Sequence, residues 1–259
     1  MTDMPMDPPG AIAGGHAATP PHTVHAGGEI AGWRGLVSDW SGDQQTFQVA
    51  WGKVMMWIFL LSDTFIFGSF LTGYMTVRTS TTVPWPNASE VFSLDIAGKP
   101  VPLLLIAIMT FILITSSGTM AMAVNCAYRR DRVNAAKLMF VTAAFGASFV
   151  GMQAFEWTKL IVDEGVRPWG NPMGAAQFGS VFFMVTGFHG LHVTGGVIYL
   201  TVVAVRLLKG SYDQPRHGPP VGSGSALRGS NYQIVEIAGL YWHFVDLVWV
   251  FIFALFYLW

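Results

Sequence analysis

Eight polar or ionisable residues lie within or next to strongly apolar stretches of the sequence: Asp63, Gln153, Glu156, His189, His192, Glu236, His243 and Asp246. A charge at the centre of a bilayer costs at least ~2.5–3.5 kcal/mol on insertion scales, so each such residue needs a reason. Either these side chains pair with one another and hold helices together, or they handle protons or lipid head groups. We interpret the set as structural or proton-related and assign no catalytic residue.

The free-energy cost of a charge in the bilayer is expected to be greatest for Asp63. It lies about nine residues into the first apolar stretch, or ~14 Å at 1.5 Å per residue, which is close to the midplane. Its apolar neighbours in LLSDTFIF offer no local partner. The carboxyl is therefore either neutral or paired with a group on another helix.

The number of histidines in the apolar stretches tests whether this chain could bind a metal. His189 and His192 form an HxxH pair in TGFHGLH, and His243 is the third histidine in an apolar stretch. A dinuclear metal site needs more imidazoles and carboxylates than this, and Cys126 has no second thiol for an iron–sulfur or copper–thiolate site. We expect no metal and no haem in this chain.

Spacing groups the remaining polar residues. Glu236, His243 and Asp246 stand at i, i+7 and i+10, roughly on one helical face, and Gln153 and Glu156 share a face of another helix. Small residues accompany the polar ones and predict close approach of neighbouring helices: Gly187, Gly190, Gly195 and Gly196 around the histidines, and Ser116, Ser117, Gly118 and Thr119 earlier in the chain.

The composition defines the elements that must position these residues. Only 11% of the 259 residues are charged, against roughly 25% in soluble domains, while 52% are apolar and the mean hydropathy is +0.46. This profile excludes disorder, nucleic-acid binding and an ordinary soluble enzyme, and the net charge of −1 gives no reason to seek polyanions. The composition is typical of a membrane protein.

Five stretches are long enough to cross ~30 Å of hydrocarbon as helices, the form that satisfies its own backbone hydrogen bonds in lipid. They are about 54–77, 102–126, 138–157, 178–208 and 237–259. We predict an all-α, polytopic bundle of five transmembrane helices over residues 51–259. Residues 1–50 form a flexible Pro/Gly-rich tail, whose His16, His22 and His25 could at most bind a metal weakly.

Basic residues set the orientation. With the N-terminus in the cytoplasm, the inside segments hold about ten Lys and Arg residues and the outside loops about four. We therefore expect a cytoplasmic N-terminus and a periplasmic C-terminus.

Four segments resemble subunit III of the haem–copper terminal oxidases, in the family's order over about residues 50–259. They are WIFLLSDTFIFGSFL with Asp63, FGASFVGMQAFEW with Gln153 and Glu156, TGFHGLHVTGG with His189 and His192, and YWHFVDLVWVFIF with His243 and Asp246. Many members have seven helices, two of them before the carboxylate helix. This chain has the Pro/Gly-rich tail there and is similar to the five-helix bacterial form.

The resemblance implies an accessory, cofactor-free subunit of a proton-pumping respiratory oxidase in the bacterial cytoplasmic (inner) membrane. Haem and copper belong to partner subunits, and oxidase subunit I is the direct packing partner, with subunit II, other oxidase subunits and membrane lipids around it. The family implies stabilisation of the catalytic subunit, support of proton uptake, and bound phospholipid. The electron donor of the complex is either cytochrome c or quinol. This chain does not distinguish the two, because donors bind on other subunits.

Two other classes stay open from the residues alone. Intramembrane Asp63, Glu156 and Asp246 could mark the path of a stand-alone ion or proton carrier, although no internal repeat is evident. The second class is a membrane enzyme that binds its own metal at the HGLH pair, His189 and His192. Within the resemblance, an accessory subunit in nitric-oxide respiration is a minor alternative.

Overall fold

The computed structural model describes residues 51–96, 99–212 and 232–259. The predicted tail over 1–50, with His16, His22 and His25, lies outside these residues. The elements in chain order are α1 (Trp51–Ser80), α2 (Ala88–Val91), β1 (Ser93–Ile96), β2 (Lys99–Pro102), α3 (Leu104–Tyr128), α4 (Arg132–Val162), α5 (Gln177–Leu208), α6 (Gln233–Phe253) and a π-helical turn (Ala254–Leu258).

Five of the helices are long and apolar enough to span a membrane, which confirms the predicted bundle. Each predicted span largely coincides with one of these helices. The first and third helices run further into charged flanks, whereas the predicted 102–126 begins in β2, before Leu104, and the predicted 237–259 ends one residue beyond the π-helical turn. The third is the clearest case, because the apolar stretch over 138–157 lies inside a helix of 31 residues, Arg132–Val162. An apolar stretch in the sequence ends at the first charged residues, whereas the backbone hydrogen bonds that define a helix continue through them.

Apolar side chains cover the outside of the bundle as well as its interior. Phe65, Phe111 and Leu191 are each about 70% exposed, at 69%, 70% and 71% respectively. In water such a surface would associate, but hydrocarbon is the surrounding medium for these segments. The inner faces are therefore distinguished by tight packing and polar contacts rather than by hydropathy.

Four helices form the interlocked part of the bundle. The most extensive contacts join α3 to α4 and α4 to α5, and α6 packs against both α3 and α5. Two indole N–H groups of α6 donate across the α3 interface, Trp242 to the hydroxyl of Ser116 at 2.9 Å and Trp249 to that of Thr110 at 3.0 Å. Helix α1 lies outside this group and contacts α6 and α5.

Glycines permit the closest approaches. A Cβ on Gly146 of α4 would lie 2.4 Å from the ring of Trp242, and one on Gly196 of α5 would lie 2.9 Å from the same ring. Gly187 and Gly190 are similarly tight, each with a neighbouring side-chain atom 3.0 Å from the position of a Cβ. The predicted role of the glycine cluster is thus confirmed for these positions, whereas Gly195 has only the Tyr241 hydroxyl, at 3.9 Å.

The α3–α4 turn defines one end of the bundle, which we call the turn end. Arg130 takes a positive φ of 59° there, and Asp131 caps α4 by accepting hydrogen bonds from the backbone N–H of Asn134 at 3.2 Å and from its side-chain amide at 2.6 Å. These hydrogen bonds to the charged form hold the pKa of Asp131 below its ordinary value. The turn between two long antiparallel helices is therefore fixed by a local cap.

The opposite end, the hairpin end, carries two β-strands, which the sequence analysis did not predict. Strands β1 and β2 form a short antiparallel hairpin with Ser93 opposite Pro102, and the ammonium group of Lys159 donates to the carbonyl of Ser93. Nearby, Gly174 has a φ of 148°, and the backbone N–H of Ala175 donates to the carbonyl of Pro84 at 3.2 Å. These contacts join the two loops that close this end.

Candidate functional site: buried polar pairs between the helices

Asp63 of α1 and His192 of α5 meet near the middle of the bundle. The carboxyl atom Oδ2 lies 3.0 Å from His192 Nε2, and both side chains are largely buried, with 5% and 15% exposed. The contact has ion-pair distance without the alignment of a hydrogen bond. The sequence left two alternatives for Asp63, a neutral carboxyl or a partner on another helix. In the structure it has a partner on another helix, His192 of α5.

The orientation of the imidazole is set by its other ring nitrogen. His192 Nδ1 lies 2.9 Å from the carbonyl of Phe188, and because a carbonyl only accepts, Nδ1 is the donor of this hydrogen bond. Nε2 is thereby turned toward Oδ2 of Asp63, 3.0 Å away. The imidazole thus gives Asp63 a partner on a second helix, which lowers the cost of a carboxyl at this depth.

Aromatic side chains and a tyrosine surround the pair. The ring of Phe188 lies 4.7 Å from that of His192 and the ring of Phe67 lies 5.4 Å from it, measured between centroids. The hydroxyl of Tyr241, on α6, donates to the backbone carbonyl of His192 at 2.9 Å. The pair therefore joins three helices, α1, α5 and α6.

His189 has a different environment from His192, although only three residues separate them. It is fully buried, stacks on Trp249 at 5.2 Å and meets the edge of Phe149 at 5.7 Å. Neither of its ring nitrogens has a hydrogen-bond partner among the described residues. Both histidines meet the ring of Phe67, with ring centroids 6.4 Å away for His189 and 5.4 Å away for His192, but their other neighbours differ.

Gln153 and Glu156 occupy buried positions on α4, as their shared face predicts. The amide of Gln153 donates to the carbonyl of Thr186 on α5 at 2.8 Å. Glu156 accepts a hydrogen bond from the hydroxyl of Tyr257 at 3.1 Å. Tyr257 lies in the π-helical turn and was missed from sequence, since nothing distinguishes it from the other aromatic residues near the end of the chain.

Glu236, His243 and Asp246 lie on α6 as predicted but meet different helices. Glu236 forms an ion pair with Lys53 of α1 at 2.5 Å, at the turn end. His243 Nδ1 lies 2.6 Å from the hydroxyl of Ser117 on α3. Asp246 is buried and its two carboxyl oxygens have no hydrogen-bond partner in the described segments.

Arg78 closes the other end of α1. Its guanidinium donates to the hydroxyl of Tyr74 at 3.0 Å and to the carbonyl of Trp259 at 2.5 Å, and it lies over the Trp259 ring at 4.2 Å. The Tyr74 hydroxyl in turn donates to the carbonyl of Leu255. Helix α1 is therefore held by polar contacts at both ends and in the middle.

Metal binding finds no support in the described geometry. Over residues 51–96, 99–212 and 232–259, no three His, Cys, Asp or Glu side chains converge as metal ligands. The polar groups instead form separate links between pairs of helices. The fold and these links define a polytopic helical membrane protein whose buried carboxyls and imidazoles join its helices.

Comparison with known proteins names the family. The family described as cytochrome c oxidase subunit III matches residues 30–259. Cytochrome c oxidase subunit 3 of Alkalihalophilus pseudofirmus is 31% identical over 203 residues, which cover 78% of this chain and 84% of the relative. The probable quinol oxidase subunit 3 of Staphylococcus epidermidis is 29% identical over 220 residues, covering 83% and 92%.

The chain therefore belongs to the cytochrome c oxidase subunit III family, and the resemblance drawn from the four segments is confirmed. It is an accessory subunit of a haem–copper respiratory oxidase, an oxidoreductase complex, and is not itself the catalytic chain. Membership also implies that it works with other oxidase subunits as a multi-pass membrane protein.

Proposed function

We propose that this chain is a cofactor-free subunit III that packs directly against subunit I of a proton-pumping oxidase in the bacterial cytoplasmic membrane. Subunit I would carry the haems and copper that reduce O2 to water, with subunit II completing the core. The chain contributes packing, retention of lipid and support of proton uptake. Relatives bear the names of both cytochrome c and quinol oxidases, so both donors fit the proposal.

The Asp63–His192 pair is the observation that carries this proposal. It fixes α1 to α5 by a contact of 3.0 Å inside an apolar bundle, which supports a stabilising role. It also places a carboxyl and an imidazole, two groups that can each carry a proton, 3.0 Å apart, which supports a role in proton handling.

Orientation is part of the proposal. We place the turn end, with Arg129, Arg130 and Arg132, in the cytoplasm and the hairpin end in the periplasm. The ten-to-four distribution of basic residues supports this direction. Lys53 and Glu236 would then lie at the cytoplasmic surface of the bundle.

A stand-alone carrier is less well supported. A carrier needs polar groups that line a path across the membrane. In the described residues the buried polar groups are instead separate, with Glu156 on Tyr257, Asp63 on His192 and His243 on Ser117.

Purification of the tagged chain from respiring cells in mild detergent tests the subunit assignment. We expect haem bands in the reduced-minus-oxidised spectrum and a large, histidine-rich membrane partner. Supplying quinol or reduced cytochrome c to that complex then identifies the donor. A colourless, self-associated protein would refute the assignment and favour the carrier.

Replacement of Asp63 by Asn separates the two roles of the pair. An asparagine amide can still contact His192, so assembly should be retained while the ionisable carboxyl is lost. We expect a shorter turnover lifetime and slower proton uptake by the purified complex. Asp163→Asn, at the end of α4, is the matched control, and normal lifetime and uptake in Asp63→Asn would remove the proton role.

A further inference from the structure

A second buried polar cluster lies where α6 meets α3. Trp242, Asp246 and Trp249 stand at i, i+4 and i+7 on α6, which places them on one helical face. The indole N–H groups of both tryptophans donate to hydroxyls of α3, at 2.9 and 3.0 Å. Asp246 therefore lies between two fixed contacts, on the face of α6 that packs against α3.

Asp246 differs from the two tryptophans in having no hydrogen bond. Its side chain lies about 20 Å along α6 from Gln233 and is only 7% exposed. Neither carboxyl oxygen has a hydrogen-bond partner in the described part of the chain. Burial without a counter-charge favours the uncharged form of a carboxyl, so the location of its proton needs a physical account.

The neighbouring elements supply no charge to this carboxyl. Helix α6 packs against α1, α3, α5 and the π-helical turn. Ionisable side chains of these elements within the bundle lie in other contacts or behind another ring, and they include Asp63, His189, His192 and Tyr257. Among the described residues, no charged group acts on the Asp246 carboxyl, whereas the hydroxyl of Ser117 on α3 does interact with it.

Ser117 links Asp246 to His243. The serine hydroxyl lies 2.6 Å from His243 Nδ1, and the same hydroxyl interacts with the Asp246 carboxyl. His243 precedes Asp246 by three residues on α6, is partly exposed, and borders an apolar groove between α1 and α6. The three groups therefore lead from the buried contact of α3 and α6 toward the α1 side of the bundle.

A hydroxyl between a carboxyl and an imidazole is suited to pass a proton, because it donates one hydrogen bond while it accepts another. With the proton on Asp246, the carboxyl donates to the Ser117 oxygen and the serine donates to the neutral Nδ1 of His243. In the transfer, Ser117 receives the carboxyl proton and gives its own to Nδ1. The products are an aspartate and an imidazolium, so one proton has moved from Asp246 to His243.

We propose that Asp246, Ser117 and His243 form a proton-binding site at mid-depth of the bundle, in which Ser117 passes the proton between the buried carboxyl and the imidazole. The resting form has the proton on Asp246, because this form places no charge in the hydrocarbon. His243 is the group through which the site exchanges its proton, since it is partly exposed and Asp246 is buried. The site belongs to this chain alone and does not rest on the role of Asp63 or on assembly with an oxidase.

Infrared spectroscopy of the purified complex, transferred at neutral pH from H2O into D2O, tests this site. The carbonyl stretch of a protonated carboxyl shifts when deuterium replaces its proton, and we expect one such signal to be lost in Asp246→Asn. Ser117→Ala should retain this signal but slow its exchange about tenfold, equal to about 1.4 kcal/mol of activation free energy. A purely structural role predicts the opposite, because loosened packing at the missing hydroxyl would speed exchange.

Thr115→Val is the matched control on α3, because the Thr115 hydroxyl donates to the carbonyl of Phe111 on its own helix at 2.8 Å. It should leave the exchange rate unchanged, whereas His243→Phe should slow exchange as Ser117→Ala does. If Asp246→Asn fails to assemble, Asp246→Glu assigns the signal by a change in its frequency. A spectrum without a protonated Asp246 signal would overturn the proposal, and so would equal exchange rates in Ser117→Ala and Thr115→Val.

Discussion

Helix α1 and the four helices α3–α6 are held in place by different forces. In the four-helix part, glycines bring backbones against large rings, as where Gly146 and Gly196 meet Trp242. Helix α1 has fewer close neighbours and is attached through polar contacts, by Lys53 at one end, Asp63 in the middle and Arg78 at the other.

This difference has a physical basis. In lipid there is no hydrophobic force to press one apolar helix against another, so close van der Waals packing and interhelical hydrogen bonds supply the attraction. The four-helix part combines both, with tight packing around Trp242 and hydrogen bonds such as that from Trp242 to Ser116, whereas α1 packs less extensively and depends more on its polar contacts. We therefore expect α1 to respond to charge and pH, and the four-helix part to respond to side-chain volume.

The largest effect is expected from Gly146→Leu. The added Cβ alone would lie 2.4 Å from the Trp242 ring and 2.7 Å from Val197, so helices must separate. We expect a loss of about 3 kcal/mol or more, since overpacking costs typically 1–3 kcal/mol with adaptable neighbours. The measurement is the fraction of this subunit retained in the purified complex after stepwise heating.

Gly151→Leu is the control on the same helix, because a Cβ there meets no atom within 4 Å. It should leave retention close to that of the unaltered protein. Equal losses in both variants would mean that packing at Trp242 does not hold the four-helix part together.

Asp63→Leu should have the next largest effect, about 2–3 kcal/mol, because it leaves His192 Nε2 buried without a partner. Heating the complex and following retention of the subunit measures it. The double variant Asp63→Leu/His192→Phe should recover part of the loss, because no unpaired polar group is left behind. A double variant as unstable as the sum of the two single ones would show that the two residues do not act as a pair.

The ion pair of Lys53 and Glu236 should contribute less, about 0.5–1 kcal/mol, since both side chains retain partial contact with the surroundings. A double-mutant cycle with Lys53→Gln and Glu236→Gln measures the coupling. The coupling should shrink as salt is raised from 0.05 to about 0.5 M, because salt screens it. A coupling energy that is independent of salt would contradict an electrostatic attachment of α1 at this end.

Asp131→Ala should give the smallest effect, a slight decrease in thermal retention through loss of the α4 cap. Because the folded pKa of Asp131 is lowered, its carboxylate stabilises the fold at neutral pH, and this contribution disappears as the pH falls below the ordinary aspartate value of about 3.9. The difference between Asp131→Ala and the unaltered chain should therefore vanish in acid. A difference that grows on acidification would reverse the assigned sign.

Much of the fold could be predicted because it depends on local properties of the chain. Length and hydropathy identify the five spans, and the depth of Asp63 follows from its distance along a helix. The hairpin of β1 and β2 could not be predicted in the same way, because four-residue strands beside prolines carry little pattern. The true ends of α4 were also hidden, since charged residues extend the helix beyond its apolar stretch.

The sequence by itself determined that this protein spans a membrane five times and that certain polar residues lie inside it. Only the tertiary structure decided that Asp63 pairs with His192 and not His189, that Glu156 meets Tyr257, and that His243 borders a groove. Helical periodicity tells which residues share a face, but in lipid the outward faces are as apolar as the inward ones. Hydropathy therefore leaves the rotation and neighbours of each helix open, and these are set by close packing between helices.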